Sequence, residues 1–187
     1  HRVADRSPTT VRVLTSDPIS GGAERNTGAM DTRPDVPPFG AILRPHIDSV
    51  PAEGRPAYLA GLERSAAARY RAWAEAAPEH ATELLGCAAR EDEIATLIAD
   101  LFPVTAEVQT AIDESLPGAV ELYYEVFDPY SVDDQLFLQS EAELQGAHAW
   151  VALAAAATDP DARATLELCA ALERESSVVV KELLASP

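Results

Sequence analysis

Basic residues are scarce in this chain: 14 lysines and arginines stand against 31 aspartates and glutamates, a net charge of -17 over 187 residues. No basic stripe offsets that excess, so nucleic-acid binding is excluded as a main function and an anionic membrane surface is a poor partner. Long apolar runs are missing too. The longest, Ala149 to Ala157, has nine residues, well short of the roughly 20 that a spanning helix needs. Cysteine is limited to Cys87 and Cys169, and no apolar leader follows the first arginines. That pattern is expected of a protein in the reducing cytoplasm. Glycine is sparse beyond Gly61, and the chain has no glycine-rich phosphate loop, Ser-His-Asp set or zinc spacing.

What is abundant is Ala, Leu and Glu, a helical composition in a chain long enough for one domain with a real core. Residues 1–55 differ: eight of the 14 prolines lie at or before Pro56, and Gly, Ser, Thr and Arg fill much of the rest. Such a segment buries little apolar surface, so it is expected to be a disordered or extended arm. The chain begins with His1, and Met30 offers an alternative start that would make residues 1–29 upstream or tag sequence.

From residue 56 to 187 the pattern becomes helical. Leu59, Leu62, Ala66, Tyr70, Trp73 and Ala77 recur at three- and four-residue spacing and predict a first helix over Pro56–Ala77. A second is expected over Pro78–Leu101, closed by Pro103. Residues 103–130 read as a long connection with short helical pieces, broken at Pro117-Gly118 and Asp128-Pro129. Ser131 caps a third helix reaching Ala157, and Asp159-Pro160 turns into a fourth that ends near Ala185. The two hairpins are similar at an offset of 82: Pro78 falls on Pro160, Leu84 on Leu166, Cys87 on Cys169 and Glu91 on Glu173. Two copies of a hairpin joined by a long connection predict an all-α four-helix bundle with one crossover.

Four glutamates stand out on those helices. At 100° per residue, Glu91 points within about 40° of the centre of its apolar face, Glu143 and Glu173 lie inside theirs, and Glu63 sits at a boundary. Residues equidistant from a hairpin turn lie side by side, which sets Glu91 near Glu63 and Glu173 near Glu143. All four can therefore converge on one layer. Burying several carboxylates costs several kcal/mol each unless something neutralises them. The candidates are a metal, shared protons, or an arginine such as Arg69 or Arg90.

One glutamate per helix at these positions resembles the ferritin-like superfamily of rubrerythrin-, bacterioferritin- and di-iron-carboxylate bundles, over residues 56–185. That superfamily carries a Glu on the first and third helices and Glu-x-x-His on the second and fourth. Glu63, Glu91, Glu143 and Glu173 match and are the metal ligands that the resemblance implies. Ile94 and Ser176 stand where the two histidines would be. Iron and manganese are the metals implied, and without imidazole an all-oxygen set suits a harder cation such as manganese, magnesium or calcium. Three functions follow as expectations. One is a degenerate, metal-free bundle serving as an interaction or scaffold protein, as a homo-dimer; another is a carboxylate-rich metal-binding protein, storage subunit or di-metal oxidase whose small-molecule substrate the sequence does not name; the third is a small-molecule-binding bundle.

Other residues carry weaker signals. His148 lies on the flank of the third helix, His80 in a first turn and His46 in the proline-rich arm. Cys87 and Cys169 each precede an inward glutamate by one turn and read as small core residues, a redox pair or an inter-hairpin disulfide. Tyr70 and Trp73 read as core, and Tyr123, Tyr124 and Phe127 as a cover over one edge of the bundle or the lining of a partner contact.

Overall fold

The computed structural model describes residues 33–185, all of whose regular structure is helical. Residues 1–29, set apart in sequence, lie outside the described part. The helices are α1 (Phe39–Asp48), α2 (Arg55–Ala76), α3 (Ala81–Leu101), α4 (Ala106–Phe127), α5 (Val132–Ala156) and α6 (Pro160–Ala185). Single 3-10 turns, Ala52–Gly54 and Pro78–His80, lead into α2 and α3.

Two helical hairpins, α2 with α3 and α5 with α6, form the body, and α3 packs against α6. The ion pairs Arg71–Asp92, exposed, and Lys181–Glu141, partly exposed, each join the two helices of one hairpin. Such surface pairs add little, typically under about 1 kcal/mol. Most of the stability comes from burial: Tyr70, Leu84, Phe127, Leu138 and Val180 belong to one apolar cluster, and Ile94, Ile98, Trp150, Leu166 and Cys169 to another.

The crossover differs from the broken connection expected over 103–130. It is one 22-residue helix, α4, with Pro117 inside it. Val108, Ile112, Ala119 and Phe127 are buried on one side of α4, a three- to four-residue rhythm that packs onto α1 and α2. Burial of that face outweighs the roughly 3 kcal/mol that an interior proline costs. Thr105 caps the start, its hydroxyl accepting from the Val108 N–H at 3.4 Å, and Pro117 projects to solvent.

Part of the expected arm is also helical. In α1, Phe39 and Leu43 are buried, and Ile42 and Ile47 pack beside them. Phe39 stacks on Phe127 and lies against Tyr123, with ring centres 5.9 and 5.0 Å apart. Gln145 of α5 holds the entry to α1, accepting from the Phe39 N–H at 2.9 Å and donating to the Pro37 carbonyl at 3.0 Å. At the other end Ser115 donates to the His46 carbonyl at 3.1 Å. Tertiary apolar contacts thus order a segment whose proline content argued against helix.

Candidate carboxylate site

Each helix of the two hairpins carries one glutamate at the boundary between the two apolar clusters. Along α3, Leu84, Cys87 and Ala88 belong to the first cluster and Ile94, Ala95 and Ile98 to the second, with Glu91 between. On α5, Glu143 separates Ala142 from Ala147. On α6, Glu173 stands between Ala170 and Val180, and on α2, Glu63 stands between Ala60 and Ala67. Helical periodicity therefore places four carboxyls at one level of the body.

Glu91 is 0 % exposed, and Glu143 and Glu173 are each 2 % exposed; Glu63 is half-buried and lines a cavity. Carboxylate oxygens of Glu63, Glu91 and Glu173 lie within 4.8 Å of one another. Glu143 accepts on Oε1 from the Tyr70 hydroxyl at 2.7 Å and from Gln139 Nε2 at 2.6 Å. Trp150 Nε1 donates to Glu173 Oε1 at 2.9 Å. Ser176 donates to Glu91 Oε1 at 3.1 Å and accepts from Arg90 Nε, also at 3.1 Å. Glu91 Oε2 is buried with no hydrogen-bond partner.

Neither arginine expected to neutralise the layer is ion-paired with it. Arg90 pairs with the exposed Glu175 at 3.3 Å and reaches Glu91 through Ser176. Arg69 is 4 % exposed and sits among aromatic rings. The electrostatics follow. Burial first, then repulsion from Glu143, pushes the Glu63 pKa up to about 8 against a smaller pull from Arg69. Burial followed by repulsion from Glu143 and Glu63 holds Glu91 well above the carboxylate range. Glu173 is raised by burial, by repulsion from Glu63 and Glu143, and by its hydrogen bond to Glu143. Proximity of like charges in a poorly solvated place favours retained protons or a bound cation.

A cavity of about 440 Å³ opens beside this layer. Its walls come from α2 and α5, with α1 across one side. Glu63, Glu143 and Glu173 line it together with Leu59, Leu62 and Trp150. Gly40, His148 and Ala149 line it and are exposed, so they mark where it reaches the surface.

The remaining candidates take structural places. Cys87 and Cys169 are both free, and they belong to different apolar clusters. Burial, as the largest cause, raises their thiols to about 11 and about 12. Ile94 is fully buried in the apolar cluster around Trp150. His80 is partly buried in its 3-10 turn, and His46 packs against Gly118 of α4. The rings of Tyr123, Tyr124 and Phe127 surround Arg69. Two contributors escape sequence reasoning. Gly146 clears space for Glu173 and Gln139 anchors Glu143; a lone glycine inside a helix and a glutamine four residues before a glutamate were the only signals.

Fold and site define an all-helical protein with a buried carboxylate cluster beside an apolar cavity. No family model, curated protein or solved structure matches the chain. Among the described residues no helix is long and apolar enough to cross a membrane.

Proposed function

We propose that this protein is a ferritin-like bundle that binds a hard divalent cation on Glu63, Glu91 and Glu173, with Glu143 beside them. The observation that carries the reading is Glu91 Oε2, an acceptor buried without a partner in a group of carboxylates within 4.8 Å of one another. Leaving such an oxygen unsatisfied costs about 1–3 kcal/mol, more when it is charged. A cation would satisfy it and offset the mutual repulsion at once.

The donor chemistry selects the cation. Where ferritin-like di-iron bundles carry two histidines, this chain has Ile94, enclosed in apolar core, and Ser176, engaged with Glu91 and Arg90. An oxygen-only set suits Mn²⁺, Mg²⁺ or Ca²⁺ better than an iron centre tuned by imidazole. When bound, the cation would neutralise the layer and polarise an oxygen of a molecule in the cavity. The chain's own part is to orient the carboxylates: Trp150 fixes Glu173, Tyr70 and Gln139 fix Glu143, and Ser176 fixes one oxygen of Glu91.

The test is titration of chelator-stripped full-length protein with MnCl₂, followed by the loss of the free Mn²⁺ electron paramagnetic resonance signal. The expected result is saturable uptake of about one equivalent or more per chain, abolished by Glu91→Gln. Uptake no greater than that of the variant would overturn the reading. A metal-free scaffold is the second reading. The raised carboxyl pKa values favour it, since protons can neutralise the layer instead. It requires that MnCl₂ leave thermal stability unchanged.

A further inference from the structure

Arg69 lines the same cavity as the glutamates, yet it pairs with none of them. Its guanidinium carbon lies 4.5 Å from the Tyr123 ring centre, 4.6 Å from Phe127, 5.1 Å from Tyr124 and 5.7 Å from Trp73. Those rings stabilise the charge through their π faces. They do not accept from the N–H edges of the guanidinium, which call for oxygen. Nε and Nη1 are buried and have no hydrogen-bond partner, in a side chain only 4 % exposed. Arg69 is thus a buried cation with unmet donors, and part of the same side chain lines an apolar cavity.

We propose that the cavity binds an apolar monocarboxylate, an aliphatic or arylalkyl acid, with its carboxylate on Arg69 and its hydrocarbon body along Leu59, Leu62 and Trp150. A guanidinium N–H makes a charge-assisted hydrogen bond to a carboxylate that a neutral hydroxyl or an ammonium cannot match. The volume of about 440 Å³ falls in the range of small-molecule pockets, about 300–1,000 Å³. The inference stands apart from the cation reading, because Arg69 and the apolar wall are present whether or not a cation occupies Glu63, Glu91 and Glu173.

Isothermal titration of full-length, Mn²⁺-supplied protein with decanoate, decanol and decylammonium tests it, because the three probes share a chain and differ in head group. Decanoate is expected to bind at least about tenfold more tightly than decanol, a difference of about 1.4 kcal/mol. Arg69→Gln should erase that preference while leaving decanol binding within about twofold. Ala149→Trp, at the exposed mouth, should weaken decanoate and decanol alike. Equal binding of decanoate and decanol, tighter binding of decylammonium, or an unaffected Ala149→Trp variant would each overturn the proposal, and the first two need no variant to fold. Mn²⁺ uptake is measured separately without probe. Decanoate binding through Arg69 in protein that takes up no Mn²⁺ fails the cation reading alone, whereas Mn²⁺ uptake without a decanoate preference fails this inference alone.

Discussion

Gly146 of α5 faces the Glu173 carboxylate of α6 so closely that a Cβ there would lie 2.6 Å from Oε1. In an ordinary helix interior Gly→Ala is worth up to about 1 kcal/mol of stability. Here the methyl group would displace a carboxylate also held by Trp150. Gly146→Ala should therefore bring no gain in Tm, and it should weaken Mn²⁺ binding by about tenfold or more, as loss of ligand orientation does. Calorimetry and Mn²⁺ titration of the variant check both parts; a more stable protein with unchanged affinity would mean that the contact is irrelevant to the site.

Glu63 ties stability to pH. Folded, it keeps its proton up to about 8, whereas unfolded it releases it near 4.5. Between those values the native state binds more protons, so unfolding free energy falls as pH rises. Glu91 and Glu173 are shifted in the same direction and add to the slope. In chelator, the urea midpoint should be highest near pH 5 and fall through neutrality to pH 8 and beyond. Saturating Mn²⁺ should flatten the fall. A midpoint that rises from pH 5 to pH 8 would contradict the buried-carboxyl account.

Glu91→Gln keeps the shape of the side chain and its acceptor for Ser176 but removes the charge. In chelator the variant should match the parent near pH 5, where Glu91 holds its proton. At pH 9 it should be the more stable by about 1 kcal/mol or more, one pKa unit being worth about 1.4 kcal/mol. Denaturant titrations at the two pH values decide, and a variant less stable at both would mean that the carboxyl is part of an essential polar network.

Pro117 lies exposed within α4, where it removes one backbone hydrogen bond and contributes little burial. Pro117→Ala should raise stability by about 1–3 kcal/mol. Unchanged or lower stability by denaturant titration would show that the ring is relieving strain in α4.

Cys87 and Cys169 are fully buried and their thiols are raised to about 11 and about 12. Native protein at pH 8 should leave both unreacted with a chromogenic disulfide reagent, and both should react once denatured, since the thiolate is the reactive form. Rapid modification of either in native protein would argue for local opening around the carboxylate layer.

Periodicity carried the helices of the two hairpins and the inward direction of their glutamates, because apolar residues at three- and four-residue spacing define a face whatever lies opposite it. The offset between Cys87-Glu91 and Cys169-Glu173 likewise marked α3 and α6 as corresponding elements. Proline misled at two places. Around Pro45 and Pro117 local propensity opposes helix, and the deciding contribution is burial of Leu43, Ile112 and Phe127 against elements distant in sequence.

By itself, then, the amino-acid order determined where helices run in the hairpins and which carboxyls turn inward, since both depend on residues within a few turns of one another. Only the tertiary structure decided what those carboxyls meet. Arg69 is drawn away to Tyr123 and Phe127, Ser176 is shared between Glu91 and Arg90, and Gly146 makes room for Glu173. Each is a contact between helices, set by packing geometry that no single helix encodes.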